Sequence, residues 1–512
     1  MYKPNFYTFL ILALFVLLLQ ETHAQKKSAS KPALIRILNA QSLSYDESVT
    51  DARILKGQVE CEHEGALLYC DTAYIYEKEN RMVASGHIVI VKGDSLRVTG
   101  ERLLYEGKTK IATLINNVRC VDKDMVLTTP SMIFDIGQSL LSYYNSGVIV
   151  NKKNTLSSRH GHYNSLIREA TFQFDVKLSN PDYVMECDTL RYRLSNKTAY
   201  FLGPSIIRGK SDYIYCENGW YDTEKEKSQF SKNALLVTSQ QKLRGDSLSY
   251  DRINKTGRAF KHVSLIDTGQ HSVIYGNYAE YKEFRKEAFV CGRAIYARLL
   301  EKDTLFIGAD SLYHLDLDSV NNLLVAFHHV RIYNAKVQGR CDSAAYNSKD
   351  SGMVMHGTPV LWGEWSQASA RKIRFELGNN SLKGFELDGQ ASLLQQVDST
   401  SRDKYNQLAG NSIKAVIQND TVRKATIKGN VEILYFPKSN NKIMGLNNTS
   451  CKEAVLWFRK GDIDRVALKP KSSGALKPLK EIDLKTAKLD GFNWQYQNRP
   501  RNKNDLHPLQ DR

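Results

Sequence analysis

Past its first two dozen residues the sequence has no segment approaching the roughly 20 apolar residues that a membrane-spanning helix requires. It has no Cys-x-x-Cys, so neither a zinc ribbon nor a dithiol redox centre has support. It has no glycine-rich phosphate loop; the 31 glycines are scattered singly, as turn residues are. Eight cysteines in 512 residues are too few for a disulfide scaffold. Two pairs are spaced to meet: Cys61 and Cys70 across a hairpin, and Cys187 and Cys216 at one phase of adjacent repeats. Helical patterning is nearly missing as well. Only Leu479 to Leu489, directly after Pro478, reads as a short helix.

What is there begins with an export signal. Lys3 is followed by an almost unbroken apolar run from Phe9 to Leu19, and Thr22-His23-Ala24 places small residues where a signal peptidase reads. Cleavage is expected before Gln25, with an uncleaved anchor as the other reading. No cysteine follows the run to carry a lipoprotein anchor. Lys and Arg outnumber Asp and Glu by 71 to 55, a net charge of +16 that suits anionic partners. The excess is partly local, since Arg465 to Arg512 holds 11 basic and 5 acidic residues.

The strongest signal is internal repetition. A phrase of Gly or Cys, an acid, any residue, an apolar residue, any residue and Tyr reads Gly100-Glu101-Arg102-Leu103-Leu104-Tyr105, Cys187-Asp188-Thr189-Leu190-Arg191-Tyr192 and Gly245-Asp246-Ser247-Leu248-Ser249-Tyr250. Its closing aromatic sets the period: Tyr105, Phe134, Tyr163, Tyr192, Tyr221 and Tyr250 are each 29 residues apart. Tyr281, Tyr313, Tyr346 and Phe375 continue the series at intervals of 29 to 33. Between the aromatics lies a second phrase, a small or polar residue and then a β-branched run, as in Gly86-His87-Ile88-Val89-Ile90 and Gly429-Asn430-Val431-Glu432-Ile433. Alternation with β-branched and aromatic residues predicts strands, and the Asp, Asn, Lys and Gly between them predict turns. Each repeat is expected to hold two or three strands, since 29 residues reach roughly 96 Å at about 3.3 Å each. The fold class expected is all-β, an elongated twisted jellyroll or solenoid of 29–33-residue repeats that bury a shared apolar seam. Leu103, Tyr105, Leu190, Tyr192, Leu248 and Tyr250 are assigned to the interior, as groove lining or plain core. Asp188 and Asp246 share that parity, so a bulge or a strand start must turn them outward.

Three motifs suggest chemistry and fail. Gly93-Asp94-Ser95-Leu96 and Gly245-Asp246-Ser247-Leu248 spell a lipase signature, but a nucleophile is needed once and the second copy is the repeat itself. Asp267-Thr268-Gly269 spells an aspartic-protease triplet without the second carboxylate that such chemistry shares. His160 and His162 would share a strand face, yet no third metal ligand accompanies them. No catalytic residue, metal or cofactor is expected.

The ordered alternation of Gly-Asn-Val strands, as at Gly429 to Ile433, with Gly-Asp-x-Leu-x-Tyr strands, as at Gly245 to Tyr250, resembles the OstA-like family of periplasmic lipopolysaccharide-transport proteins. The resemblance spans about Ile35 to Leu468 and implies several jellyroll modules in series, without a terminal outer-membrane barrel. It divides the chain into a signal peptide (1–24), a linker (25–34), the jellyroll repeats (35–468) and a basic tail (469–512). It implies a non-enzymatic periplasmic bridge or scaffold that moves lipopolysaccharide along an apolar groove toward the outer membrane. The implied partners are lipopolysaccharide or another acylated glycolipid, related jellyroll proteins end to end and an outer-membrane translocon, not nucleic acid. The rival reading is a secreted β-solenoid adhesin or polysaccharide-binding protein, whose mark would be exposed aromatic ladders. Mass determination of the exported protein should find it beginning at Gln25; an intact 1–24 segment in the membrane fraction would refute this.

Overall fold

The computed structural model describes residues 33–507 apart from positions 46, 48–49, 240, 270, 301–302, 318–320, 351, 379–380, 398–402, 420, 440–441, 460–461 and 471. The expected signal segment lies outside the described residues. The chain forms two compact units, residues 1–141 and 142–512. In each, long strands run antiparallel and pair with the next strand in sequence. The first unit shows this from Arg53–His63 through Ala66–Tyr76, Arg81–Lys92, Leu96–Glu106 and Ile111–Asp122 to Met125–Asp135. The second shows it from Glu169–Ser179 to Gln338–Asn347 and on to Leu446–Arg459. The all-β repeat is therefore what the sequence forms; most repeats are one hairpin of two strands, and residues 140–164 and 352–378 hold four shorter strands instead.

The turns close by local capping. At the end of Gln241–Asp251, the Asp251 carboxylate accepts the Asn254 backbone N–H at 3.0 Å, and Lys255 takes the left-handed conformation. That backbone hydrogen bond holds the Asp251 carboxyl down at about 2. Asp222 and Asn164 cap the turns after Tyr221 and Tyr163 in the same way.

Halfway along every second strand the chain bends. Pairs of residues there have positive φ: Gly86 and His87, Asn116 and Asn117, Lys232 and Asn233, Lys261 and His262, His328 and His329, Gly429 and Asn430. Each pair coincides with a register shift, so two residues oppose one on the strand before, which is a β-bulge. For the first five pairs the opposed residue is the acid of the repeated phrase; for Gly429 and Asn430 it is Asn411. The acid's carboxylate accepts a hydrogen bond from the second corner side chain: His87 to Asp71 at 2.7 Å, Asn233 to Glu217 at 2.8 Å, His262 to Asp246 at 2.9 Å and His329 to Asp310 at 2.9 Å. Asn117 bonds Glu101 likewise. The bulge turns Asp246 outward while Gly245 and Leu248 on either side stay buried, which settles the parity conflict.

Each corner splits a strand into two arms, and one face of each arm is apolar. Ala294, Ile307, Ala309, Leu312, Val330 and Ala344 form part of a continuous core in the second unit. All eight cysteines are free. Cys187 and Cys216 are separated by the strand Thr198–Arg208, with Ser205 between them, and Cys61 is in register with Leu68 rather than Cys70. Burial holds the Cys120, Cys187 and Cys341 thiols up at about 12.

The segment Leu479–Leu489 is not a helix; only Leu479–Glu481 makes a 3-10 turn. The chain instead becomes a strap that runs back across the outer face of the second unit's repeats. Two buried glutamines on that face hold it. Gln407 donates to Ala487 O at 3.1 Å and accepts from Leu489 N at 2.9 Å. Gln367 donates to Asn493 O at 2.6 Å and accepts from Gln495 N at 2.7 Å. Tyr405, Phe492, Trp494, Tyr496 and Trp365 stack around these bonds, and Leu506 is buried farther on.

Because a corner needs a left-handed backbone and a bond to the neighbouring acid, Asn233→Val should lower stability by about 2 kcal/mol. Asn233→Gly, which keeps the backbone freedom, should cost clearly less. The urea midpoint of the full chain measures both, and equal losses would refute the account.

Candidate functional site

The site is built from the apolar rows that face inward on either side of the corners. In Val184–Arg193, Tyr213–Asp222 and Gln241–Asp251, exposure rises from the bend toward the capped turn that follows. Cys187 and Leu190 flank one corner and are buried, whereas Tyr192 is half-buried. Cys216 and Gly219 are buried, and Ile214 and Tyr221 are half-buried. Gly245 and Leu248 are buried, Leu243 is half-buried and Tyr250 is 38% exposed. At the next strand Tyr281 is exposed. The deep positions thus form an apolar floor, and tyrosines stand where the arms part. Tyr250 hydroxyl donates to Glu283 at 3.4 Å, and Lys255 pairs with the same carboxylate at 2.8 Å. Burial, and next to it the Glu283 charge, raises the Tyr250 phenol above its usual range.

The first unit uses the same repeat differently. Leu103 and Tyr105 are fully buried. Tyr105 hydroxyl bonds His63 Nδ1, and His63 Nε2 reaches Ala33 O at 2.7 Å. A carbonyl only accepts, so Nε2 carries the proton and Nδ1 takes the Tyr105 hydroxyl hydrogen. Asn80 donates to the same carbonyl at 3.0 Å. Lys110 pairs with Glu64 at 2.8 Å, and Lys92 caps Ile136 O. Here polar side chains join the arms, so Tyr105 sits in a closed core, whereas Tyr250 is 38% exposed.

Sequence reasoning missed a third feature, a cavity of about 470 Å³ between the two arms of the later repeats of the second unit. Leu361, Phe375, Phe385, Leu408, Phe458 and Ile463 are among its walls, and Lys438 and Asn406 stand among its polar residues. This volume lies in the usual range for a ligand site. The signal was faint, because after Phe375 the repeats near Ala415 and Leu456 lose the tyrosine that marks the period.

The suspected chemical motifs dissolve. Gly93-Asp94-Ser95 is a hairpin turn whose Ser95 hydroxyl donates to Asp122 at 2.6 Å, whereas Gly245-Asp246-Ser247 spans a corner within a strand. One string in two structural roles marks no site. His162 accepts from or donates to the Ser142 hydroxyl at 2.9 Å, and His160 packs against Tyr144 and Phe174. Burial, then the neighbouring His160, lowers the His162 pKa. Among the described residues no group of three or more His, Cys, Asp or Glu is placed to hold a metal. Among them, too, no helix is long and apolar enough to cross a membrane.

The family model described as OstA-like protein matches residues 33–188 and 184–292, just over half of the chain. No curated protein matches. Among solved structures, one similar chain is LptH of Pseudomonas aeruginosa, titled the LptA homologous periplasmic component of the conserved lipopolysaccharide transport device. It is 11% identical, with 28% of this chain and 95% of that chain covered and a TM-score of 0.22. The family match ends at 292, while the hairpin repeat continues to Leu446–Arg459. Ser95→Ala and Ser247→Ala should each leave function and any measured ester hydrolysis unchanged; loss of an esterase activity in either would refute the absence of a serine nucleophile.

Proposed function

Since the chain belongs to the OstA-like family, we propose that it is a periplasmic lipid-binding bridge or scaffold that moves lipopolysaccharide along an apolar groove toward the outer membrane. The observation that carries this reading is the apolar space between the arms: a floor at Leu190 and Leu248, a tyrosine mouth at Tyr192 and Tyr250, and the cavity of about 470 Å³ farther along the second unit. The physical need is plain. An acyl chain of about 14 carbons exposes about 12 methylenes to water, at roughly 10 kcal/mol in all. A continuous apolar row removes that cost without chemistry, so no catalytic group is required. Lys255 and Arg252 beside the mouth supply cations for phosphates.

End-to-end docking with related jellyroll proteins and with an outer-membrane translocon belongs to the same proposal. Its support is two strand edges that pair on one side only among the described residues. Ser473–Lys477 is exposed throughout and pairs with Leu446–Ser450, and Ser42–Ser44 is exposed and pairs with Ile54–Lys56. Such edges present free backbone groups to another strand. A cleaved signal peptide and export to the periplasm complete the proposal.

A photo-crosslinker at Tyr192 or Tyr250 should capture glycolipid in cells, because these positions stand at the mouth. A crosslinker at Arg191, one residue away on the opposite face and distant from Phe260, should capture little. Equal capture at both parities, or none at either, would overturn the groove.

A further inference from the structure

The outer face of the same strands carries a feature that an interior groove leaves unused. Phe260, Tyr278, Phe289, Tyr313 and Phe327 come from five successive strands, Thr256–Asp267 to Asn322–Tyr333, and stand on the face opposite Ala259, Ala279, Val290, Leu312 and Ala326. Their ring centroids follow one another at 5.4, 6.3, 4.7 and 5.8 Å. Phe260, Tyr313 and Phe327 remain 37%, 39% and 41% exposed. Among the described residues the strap crosses the other arm, at Arg331 and Gln367, and leaves this row uncovered. Polar groups flank the rings. Glu280 accepts from Tyr278 hydroxyl and Arg258 at 2.8 Å each, and Lys282 reaches its other oxygen at 3.1 Å. A recess of about 350 Å³ opens beside Phe289 and Tyr313, lined also by Glu280, Lys282 and Glu287.

We propose that this row is a saccharide-binding surface, and that it takes the glycan of the glycolipid whose acyl chains the groove holds. The source of the glycan rests on the carrier reading; the saccharide chemistry does not. Aromatic faces carry partial negative charge and attract the C–H faces of sugar rings. The spacing of about 4.8 Å between strands is close to the length of one hexose unit; neighbouring ring planes are turned by 43° to 88°, so some rings offer a sugar their face and others their edge. The fixed carboxylate of Glu280 and the cations Arg258 and Lys282 offer acceptors and donors to the hydroxyl rim. A protein partner fits poorly. The row is one side chain wide and about 20 Å long, far below the roughly 1,000 Å² that a specific protein interface buries. The recess lies toward the turn end of the strands, next to Tyr281 at the mouth, where a headgroup leaving the groove would pass.

The test uses the full chain with two probes: the oligosaccharide released from lipopolysaccharide by removal of its lipid, and lipid A without the oligosaccharide. Titration calorimetry should show binding of both. The triple variant Phe260→Ala, Tyr313→Ala, Phe327→Ala should bind the oligosaccharide at least tenfold more weakly and lipid A as before. Tyr275→Ala removes an exposed ring from the outer face of the other arm and should change neither. Tyr313→Trp keeps a ring, so it should retain binding and report it by a shift in tryptophan fluorescence, even if the triple variant fails to fold. No oligosaccharide binding by the unmodified chain, unchanged binding by a folded triple variant, or an equal loss in Tyr275→Ala would overturn the proposal. Failure of lipid A binding alone would remove the carrier reading and leave the saccharide surface standing.

Discussion

The bond between a left-handed corner and the carboxylate one strand earlier is the constraint on which the repeat depends. Two consecutive residues at positive φ cost roughly 1–2 kcal/mol each when they are not glycine. Lys232 with Asn233, and His328 with His329, bear that cost without any glycine. The hydrogen bonds to Glu217 and Asp310 offset it, since a bond to a charged group is worth about 1.5–3 kcal/mol. The bend also fixes register. A one-residue slip would take the acid away from its corner and invert every side chain beyond it. Each repeat is therefore locked at its middle as well as at its capped turn.

Much of this was legible in the sequence, because a period of two and a period of 29 survive any local noise. The closing tyrosines, the Gly-Asp-x-Leu-x-Tyr phrase and the all-β class follow from them. The second phrase, which begins at Gly86-His87, Lys261-His262 or Gly429-Asn430, was the corner itself. Its meaning stayed hidden because the partner acid lies on another strand, 16 residues earlier for His87, Asn233 and His262. The strap was not legible at all. Gln367 and Gln407 are ordinary polar residues in a strand pattern, and their partners lie 126 to 128 and 80 to 82 residues away. Proximity in sequence carries no trace of such contacts, and the charge of the last residues marked only a basic tail.

Whether the space between the arms is open is decided by side chains at the ends of the strands, not by the strands themselves. The buried pair His63 and Tyr105 and the partly exposed pair Lys110 and Glu64 span the arms in the first unit and close the space between them. At the same phase Tyr192 and Tyr221 are half-buried, and Tyr250 is 38% exposed and bonds Glu283. The candidate residues Leu103 and Tyr105 thus match Leu248 and Tyr250 in phase and differ from them in surroundings. A periodic sequence predicts equivalent backbone places, while access to solvent is set by what each repeat puts opposite.

The alternation of a strand gives the repeat two independent surfaces. Along Thr256–Asp267 to Asn322–Tyr333, one parity supplies Ala259, Val290, Leu312 and Ala326 to the interior, and the other supplies the row of aromatic rings outside. A ligand with an acyl part and a sugar part presents the same division. Its apolar chains gain only from being enclosed, at about 25 cal/mol for each Å² removed from water. Its glycan keeps its hydroxyls solvated and gains from ring faces that need not be buried. Substitution on one parity leaves the other face intact, so affinity for either half of such a ligand is adjustable without disturbing the corner that holds both.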